Sequence, residues 1–130
     1  MHKVFVYGSL LSGMGNHRLL LESKKLGVSH SPEGFGMIDL GYFPGVVKID
    51  RPGSRVIGEV YEVNDETLTR LDRLEGYNHT DGTRGLYNRL EIDTDFGKAF
   101  IYIFNNRYGE SNHLVENGDW RTYYNKTRGI

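Results

Sequence analysis

Two features of this 130-residue sequence have residue types suited to chemistry. The first is Tyr7-Gly8-Ser9-Leu10-Leu11-Ser12-Gly13-Met14-Gly15, three glycines and two serines in nine residues, directly after a strand-like run. Glycines in such a loop let backbone N–H groups converge on an anion or a developing oxyanion. A helix beginning near Asn16 would add its positive end. No Gly-Lys-Ser/Thr follows, so this is not a Walker A loop. Ser9 has Tyr7, and Ser12 has Met14, where a nucleophile elbow needs glycine. An ordinary strand–turn–helix connection accounts for the same residues.

The second feature is Glu75, which ends a helical run and precedes Gly76. The negative end of a helix disfavours a carboxylate by about 0.3–1 kcal/mol. Leu71 and Leu74 supply apolar neighbours, and burial among them would raise its pKa further. Such an acid suits proton transfer near neutral pH. A solvated acid at a helix end is the alternative.

Other candidates carry less. Tyr87 and Arg89 share one face of a strand and would either line a polar cavity or pack as a cross-strand pair. Asp72 lies three residues before Glu75, with local pairing to Arg70 or Arg73, or solvation, as its expected state. The histidines are His2, His17, His30, His79 and His113; no two stand four apart. We expect no metal site and no cofactor. With no cysteine there is no disulfide and no thiolate nucleophile.

The elements that must position these residues follow from pattern. Lys3–Tyr7 is β-branched and aromatic, and reads as a strand. Asn16–Ser23 predicts a short helix capped by Asn16. One or two irregular strands are expected over 25–40, a loop over 41–45, and strands over 46–50 and 56–63, with Gly58 allowing close approach of another backbone. The clearest helix is Asn64–Glu75, with Leu68, Leu71 and Leu74 as its buried stripe and Gly76 as its left-handed stop. Leu86–Asp93 and Lys98–Phe104 predict a hairpin, and 117–120 begins a last short helix. Length suits one domain over 1–130. Seventeen glycines, nine tyrosines and six phenylalanines, without regular β-α alternation, predict an α+β fold with a strongly curved or barrel-like sheet.

Sixteen basic and 17 acidic residues leave a net charge of −1. That is not the basic footprint of a nucleic-acid binder, and no stretch is long and apolar enough to span a membrane. No apolar signal core opens the chain, so a cytoplasmic setting is expected, and the Asn78-His79-Thr80 and Asn125-Lys126-Thr127 acceptor patterns are read as chance matches.

Several short motifs, in order, carry a resemblance. They are Val6-Tyr7-Gly8-Ser9-Leu10, Asn16-His17-Arg18, Gly58-Glu59-Val60-Tyr61-Glu62-Val63, Leu71-Asp72-Arg73-Leu74-Glu75-Gly76-Tyr77, Tyr87-Asn88-Arg89 and Gly118-Asp119-Trp120. Over most of its length the chain resembles the γ-glutamylcyclotransferase-like family, and Asn16-His17-Arg18 looks most like its γ-glutamylamine branch. The resemblance implies a small mixed, strongly curved β-barrel with flanking short helices. It implies Glu75 as the catalytic residue, and Tyr7, Gly8, Ser9 and Leu10 around the γ-glutamyl group of a small-molecule substrate. Tyr87 and Arg89 are further candidates for substrate contact. The implied reaction releases 5-oxoproline and a free amine. Residues 78–85 read as a polar insertion, either a lid or a partner surface. Three other readings stay open: a non-catalytic sensor for a small anionic metabolite, removal of a γ-glutamyl cap from a biosynthetic intermediate, and a plain interaction domain.

Overall fold

The computed structural model describes residues 1–105 and 113–128. Its main sheet has five strands in the order β2-β5-β1-β7-β6. These are β1 (His2–Val6), β2 (Lys24–His30), β5 (Ile57–Val63), β6 (Tyr87–Thr94) and β7 (Gly97–Phe104). β1 runs antiparallel to β5 and parallel to β7. It is a central strand because Val4, Phe5 and Val6 are apolar on both faces, and all three are buried. A second sheet has the order β4-β3-β8, from β3 (Phe35–Asp39), β4 (Pro44–Lys48) and β8 (His113–Leu114).

The expected barrel is corrected by this arrangement. Among the described residues the strands form two sheets, and no ladder joins them into a closed cylinder. They meet through packing instead. Gly45 of β4 lies against Phe104 of β7, and the Tyr87 hydroxyl donates to the Pro44 carbonyl at 2.7 Å.

Helix α1 (Asp65–Glu75) has the ends its sequence predicts. The Asn64 side chain accepts from the Thr67 N–H at 2.8 Å, and Gly76 takes φ +67°, a left-handed turn that stops the helix. Its buried face differs from the leucine stripe. Leu68, Leu71 and Asp72 are buried, while Leu74 is 41% exposed. The helix expected over 16–23 is a 3₁₀ turn, His17–Leu20. Asn16 does not cap it; its side-chain N–H donates to Ser9 Oγ at 2.9 Å. The hairpin turns between Thr94 and Gly97. Helix α2 (Trp120–Thr127) is capped by Asp119 and buries Trp120. Among the described residues no helix is long and apolar enough to cross a membrane.

Gly58 does allow the close approach its place in β5 suggested. A Cβ there would stand 2.3 Å from the Val6 carbonyl oxygen and 2.8 Å from the Phe5 ring. Both neighbours lie in the central strand, so neither can yield cheaply. Gly58→Ala is expected to cost about 1–3 kcal/mol or more, read as a lower urea midpoint with the slope unchanged.

Candidate active site

β1 delivers its C-terminal end to a cavity of about 410 Å³. Tyr7 to Leu10, Glu75 and Tyr87 all line it, so six of the seven residues singled out from sequence share one hollow. Tyr102 of β7, Tyr42 and Phe43 of the β3–β4 loop, Leu74 and Leu86 also line it.

The loop after β1 has an asymmetry in its hydrogen bonds. Its carbonyls are taken: Gly8 accepts from the Leu11 N–H at 3.0 Å, and Ser9 from the Asn16 N–H at 2.8 Å. The Leu10 carbonyl lies 2.9 Å from His17 Nδ1, which must carry the hydrogen because a carbonyl only accepts. The N–H groups of Gly8, Ser9 and Leu10 have no acceptor among the described residues. Three successive donors are thus left for whatever enters the cavity. Gly8 is needed here for proximity, since a Cβ would fall 2.7 Å from Pro44 Cγ. Gly13 supplies the left-handed turn at φ +83°, and nothing in the structure calls for glycine at Gly15.

Glu75 is half-buried at the last position of α1 and has no hydrogen-bond partner among the described residues. Burial raises its carboxyl to about 7. The surrounding phenols do not relieve this. Tyr7 donates to the Tyr102 carbonyl at 2.6 Å, Tyr102 to Asp72 Oδ1 at 2.7 Å, and Tyr87 to Pro44. Their protons are committed elsewhere. Desolvation, with the nearby carboxylates adding to it, pushes Tyr87 and Tyr102 far above the usual phenol range. A neutral wall therefore surrounds an acid poised between its two protonation states.

Arg89 does not line the cavity. Its guanidinium donates to Asp72 Oδ2 at 2.6 Å and lies over the rings of Tyr77 and Phe100. Asp72 is correspondingly not paired with Arg70 or Arg73, and not solvated; it is 3% exposed. Its second oxygen holds Tyr102, so Arg89 and Asp72 support the cavity wall from behind. Nor do residues 78–85 cover the cavity: none lines it. The segment packs back on the sheet, with Asn105 Nδ2 donating to the carbonyls of Gly82 and Gly85.

This frame has known counterparts. Residues 4–122 match the family described as Gamma-glutamyl cyclotransferase, AIG2-like. The chain belongs to that family. It is 36% identical over 120 residues to the gamma-glutamylcyclotransferase family protein YtfP of Escherichia coli K12, across 91% of this chain and 95% of that protein. It is 33% identical over 125 residues to gamma-L-glutamyl-butirosin B gamma-glutamyl cyclotransferase of Niallia circulans, across 95% of this chain and 78% of that one. Among solved structures, PH0828 from Pyrococcus horikoshii matches with a TM-score of 0.75 at 27% identity, over 98% of this chain and 99% of that one. Among the described residues the two sheets and two α-helices are the small α+β fold of this family.

This family member anchors its amide loop through a residue the sequence reading left without a role. Glu59, 2% exposed in β5, accepts from the Ser12 N–H at 2.9 Å, the Ser12 hydroxyl at 3.0 Å and the Tyr61 hydroxyl at 2.9 Å. Lys25 and Arg121 reach the same carboxylate at 3.3 and 3.2 Å, and Arg121 also donates to the Ser12 carbonyl at 2.5 Å. Burial alone would raise the Glu59 pKa, but these donors outweigh it and hold it at about 2. A charged residue among the apolar Ile57, Tyr61 and Val63 of an alternating strand was the available signal. For Tyr102 it was a hydroxyl within an otherwise apolar run, residues 99–104.

The two glutamates couple to stability with opposite signs. Glu59 has a lowered native pKa, so its contribution is present above pH 4.5 and lost as pH falls towards 2. Glu59→Gln is expected to cost about 2–3 kcal/mol at pH 7, a deficit that shrinks below pH 4. Glu75 has a raised native pKa, so its contribution is present below pH 4.5 and lost as pH rises through 7. Glu75→Gln should therefore gain on the wild type between pH 5 and pH 8. Urea unfolding at several pH values reads both.

Proposed function

We propose that this chain is a cyclotransferase that releases 5-oxoproline and a free amine from a γ-glutamyl amine by intramolecular aminolysis. The observation that carries the reading is the meeting, in one cavity, of an acid raised to about 7 and three successive amides without acceptors. In this reading the substrate's α-amino nitrogen attacks its own γ-carbonyl carbon. A five-membered lactam closes, the γ-amide C–N bond breaks, and the amine departs. The nucleophile arrives tethered, so the protein's task is to hold the cyclising conformation. The α-ammonium gives up two protons as it becomes the lactam N–H; Glu75 takes each in turn and passes it to the leaving nitrogen, so the amine departs as an ammonium. The N–H groups of Gly8, Ser9 and Leu10 bind the substrate carboxylate or the oxyanion, while Tyr7 and Tyr87 wall the pocket. Arg89 acts only through Asp72 and Tyr102. Asn16-His17-Arg18 favours a γ-glutamylamine substrate within the family, and here Asn16 and His17 each hold a loop carbonyl.

A second reading, removal of a γ-glutamyl cap from a larger intermediate, is favoured by the name of the Niallia circulans relative, a cyclotransferase of γ-L-glutamyl-butirosin B. The two differ only in the leaving group.

The test follows 5-oxoproline released from γ-glutamyl-lysine, γ-glutamyl-alanine, glutathione and γ-L-glutamyl-butirosin B. Glu75→Gln is expected to lower kcat by about 10²–10⁴-fold with the fold retained. Wild-type kcat should rise with pH through about 7, because the shuttle must begin as a carboxylate. Turnover by Glu75→Gln at the wild-type rate would remove that residue from the mechanism.

A further inference from the structure

The chemistry of the cavity changes from its floor to its mouth. Inside are the buried tyrosines Tyr7, Tyr87 and Tyr102 and the open amides. Around the opening are Tyr42, 91% exposed, Phe43, 37%, and Leu74 and Leu86, 41% each. Eight large hydrophobic side chains are exposed among the described residues, and these four gather at one opening. Apolar side chains scattered singly need no explanation, whereas a cluster rimming a cleft points to a ligand.

We propose that these four residues form the subsite for the departing amine, and that it takes an apolar amine without a carboxylate. The inference rests on the cyclotransferase reading for which end of the substrate lies outermost. The polar glutamyl half matches the amides and Glu75 within. The leaving half then lies along the collar, where each methylene it buries adds affinity. A carboxylate on that half, as in a γ-glutamyl dipeptide, meets no cation among the described lining residues and shares the cavity with Glu75.

The collar is built by the fold. Leu74 stands on the last turn of α1, one residue before Glu75. Leu86 is brought beside it because Gly85 passes so close to Gly76 that a Cβ at Gly85 would lie 1.9 Å from the Gly76 carbonyl oxygen. Asn105 holds that passage by its bonds to Gly82 and Gly85. The segment 78–85 thereby acquires a role without covering the site: it sets Leu86 at the rim.

The test measures binding and turnover separately, with γ-glutamyl methyl-, ethyl-, propyl- and pentylamide and γ-glutamyl-alanine. Calorimetry on Glu75→Gln reads binding without turnover. The dissociation constant is expected to fall about fourfold per methylene, the equivalent of roughly 0.8 kcal/mol. The ethylamide should bind at least tenfold tighter than γ-glutamyl-alanine, from which it differs by one carboxylate. Leu86→Ser, a substitution at an exposed position, should flatten the slope. A flat series, no measurable binding, or tighter binding of γ-glutamyl-alanine would overturn the subsite. Release of no 5-oxoproline from any amide by the wild type, with the binding slope intact, would instead overturn the cyclotransferase reading.

Discussion

The site depends on a division of labour within three peptide units. In Gly8, Ser9 and Leu10 the carbonyls are bound by the protein and the N–H groups are not. A loop normally satisfies both, because an orphaned buried polar group costs about as much as a lost hydrogen bond. Here one side is tied by Leu11, Asn16 and His17, which fixes where the other side is presented. Anchors further along serve the same end. Ser12 is held at its N–H, hydroxyl and carbonyl by Glu59 and Arg121, so the loop is fixed from β5 and α2 as well as from its own turn. A donor array that is already ordered need not be reorganised when negative charge develops beside it.

The acid that shares the cavity with this array is tuned by what surrounds it. No described cation or hydrogen-bond donor meets the Glu75 carboxyl, so burial acts on it unopposed and its pKa rises. Glu59, equally an acid in a protein interior, is driven the other way by five donors. The same side chain thus serves as a fixed structural anion in one place and a titratable group in the other. The hydroxyls of Tyr7, Tyr87 and Tyr102 donate to backbone carbonyls and to Asp72, and none donates to Glu75.

Much of this was legible in the chain before any fold was known. Capping made α1 readable: an Asn at its start, acids in the first turn and Gly76 at its end all act on the helix termini beside them. The β1 loop, Glu75 and Tyr87, singled out from their own neighbours in sequence, line one cavity. The pairing of Arg89 was not readable, because its partner, Asp72, is 17 residues away and on another element. Leu74 was expected in the core because helical spacing puts it on the apolar face, but Asp72 takes the buried place through its bonds to Arg89 and Tyr102. The barrel failed similarly: strand pattern predicts strands, while closure depends on which edges meet.

By itself, then, the sequence determined the local elements, the amide-rich loop, the acid at the helix end and the motif order that marks the family. These rest on short-range forces: capping, alternation and backbone sterics within a few residues. Only the tertiary structure decided which carboxylate would be held as an anion by donors and which left without them, that Arg89 would buttress the wall, and that four apolar residues from three segments would ring one mouth. Those outcomes turn on desolvation and on pairing across long sequence separations, and neither acts until the chain has closed on itself.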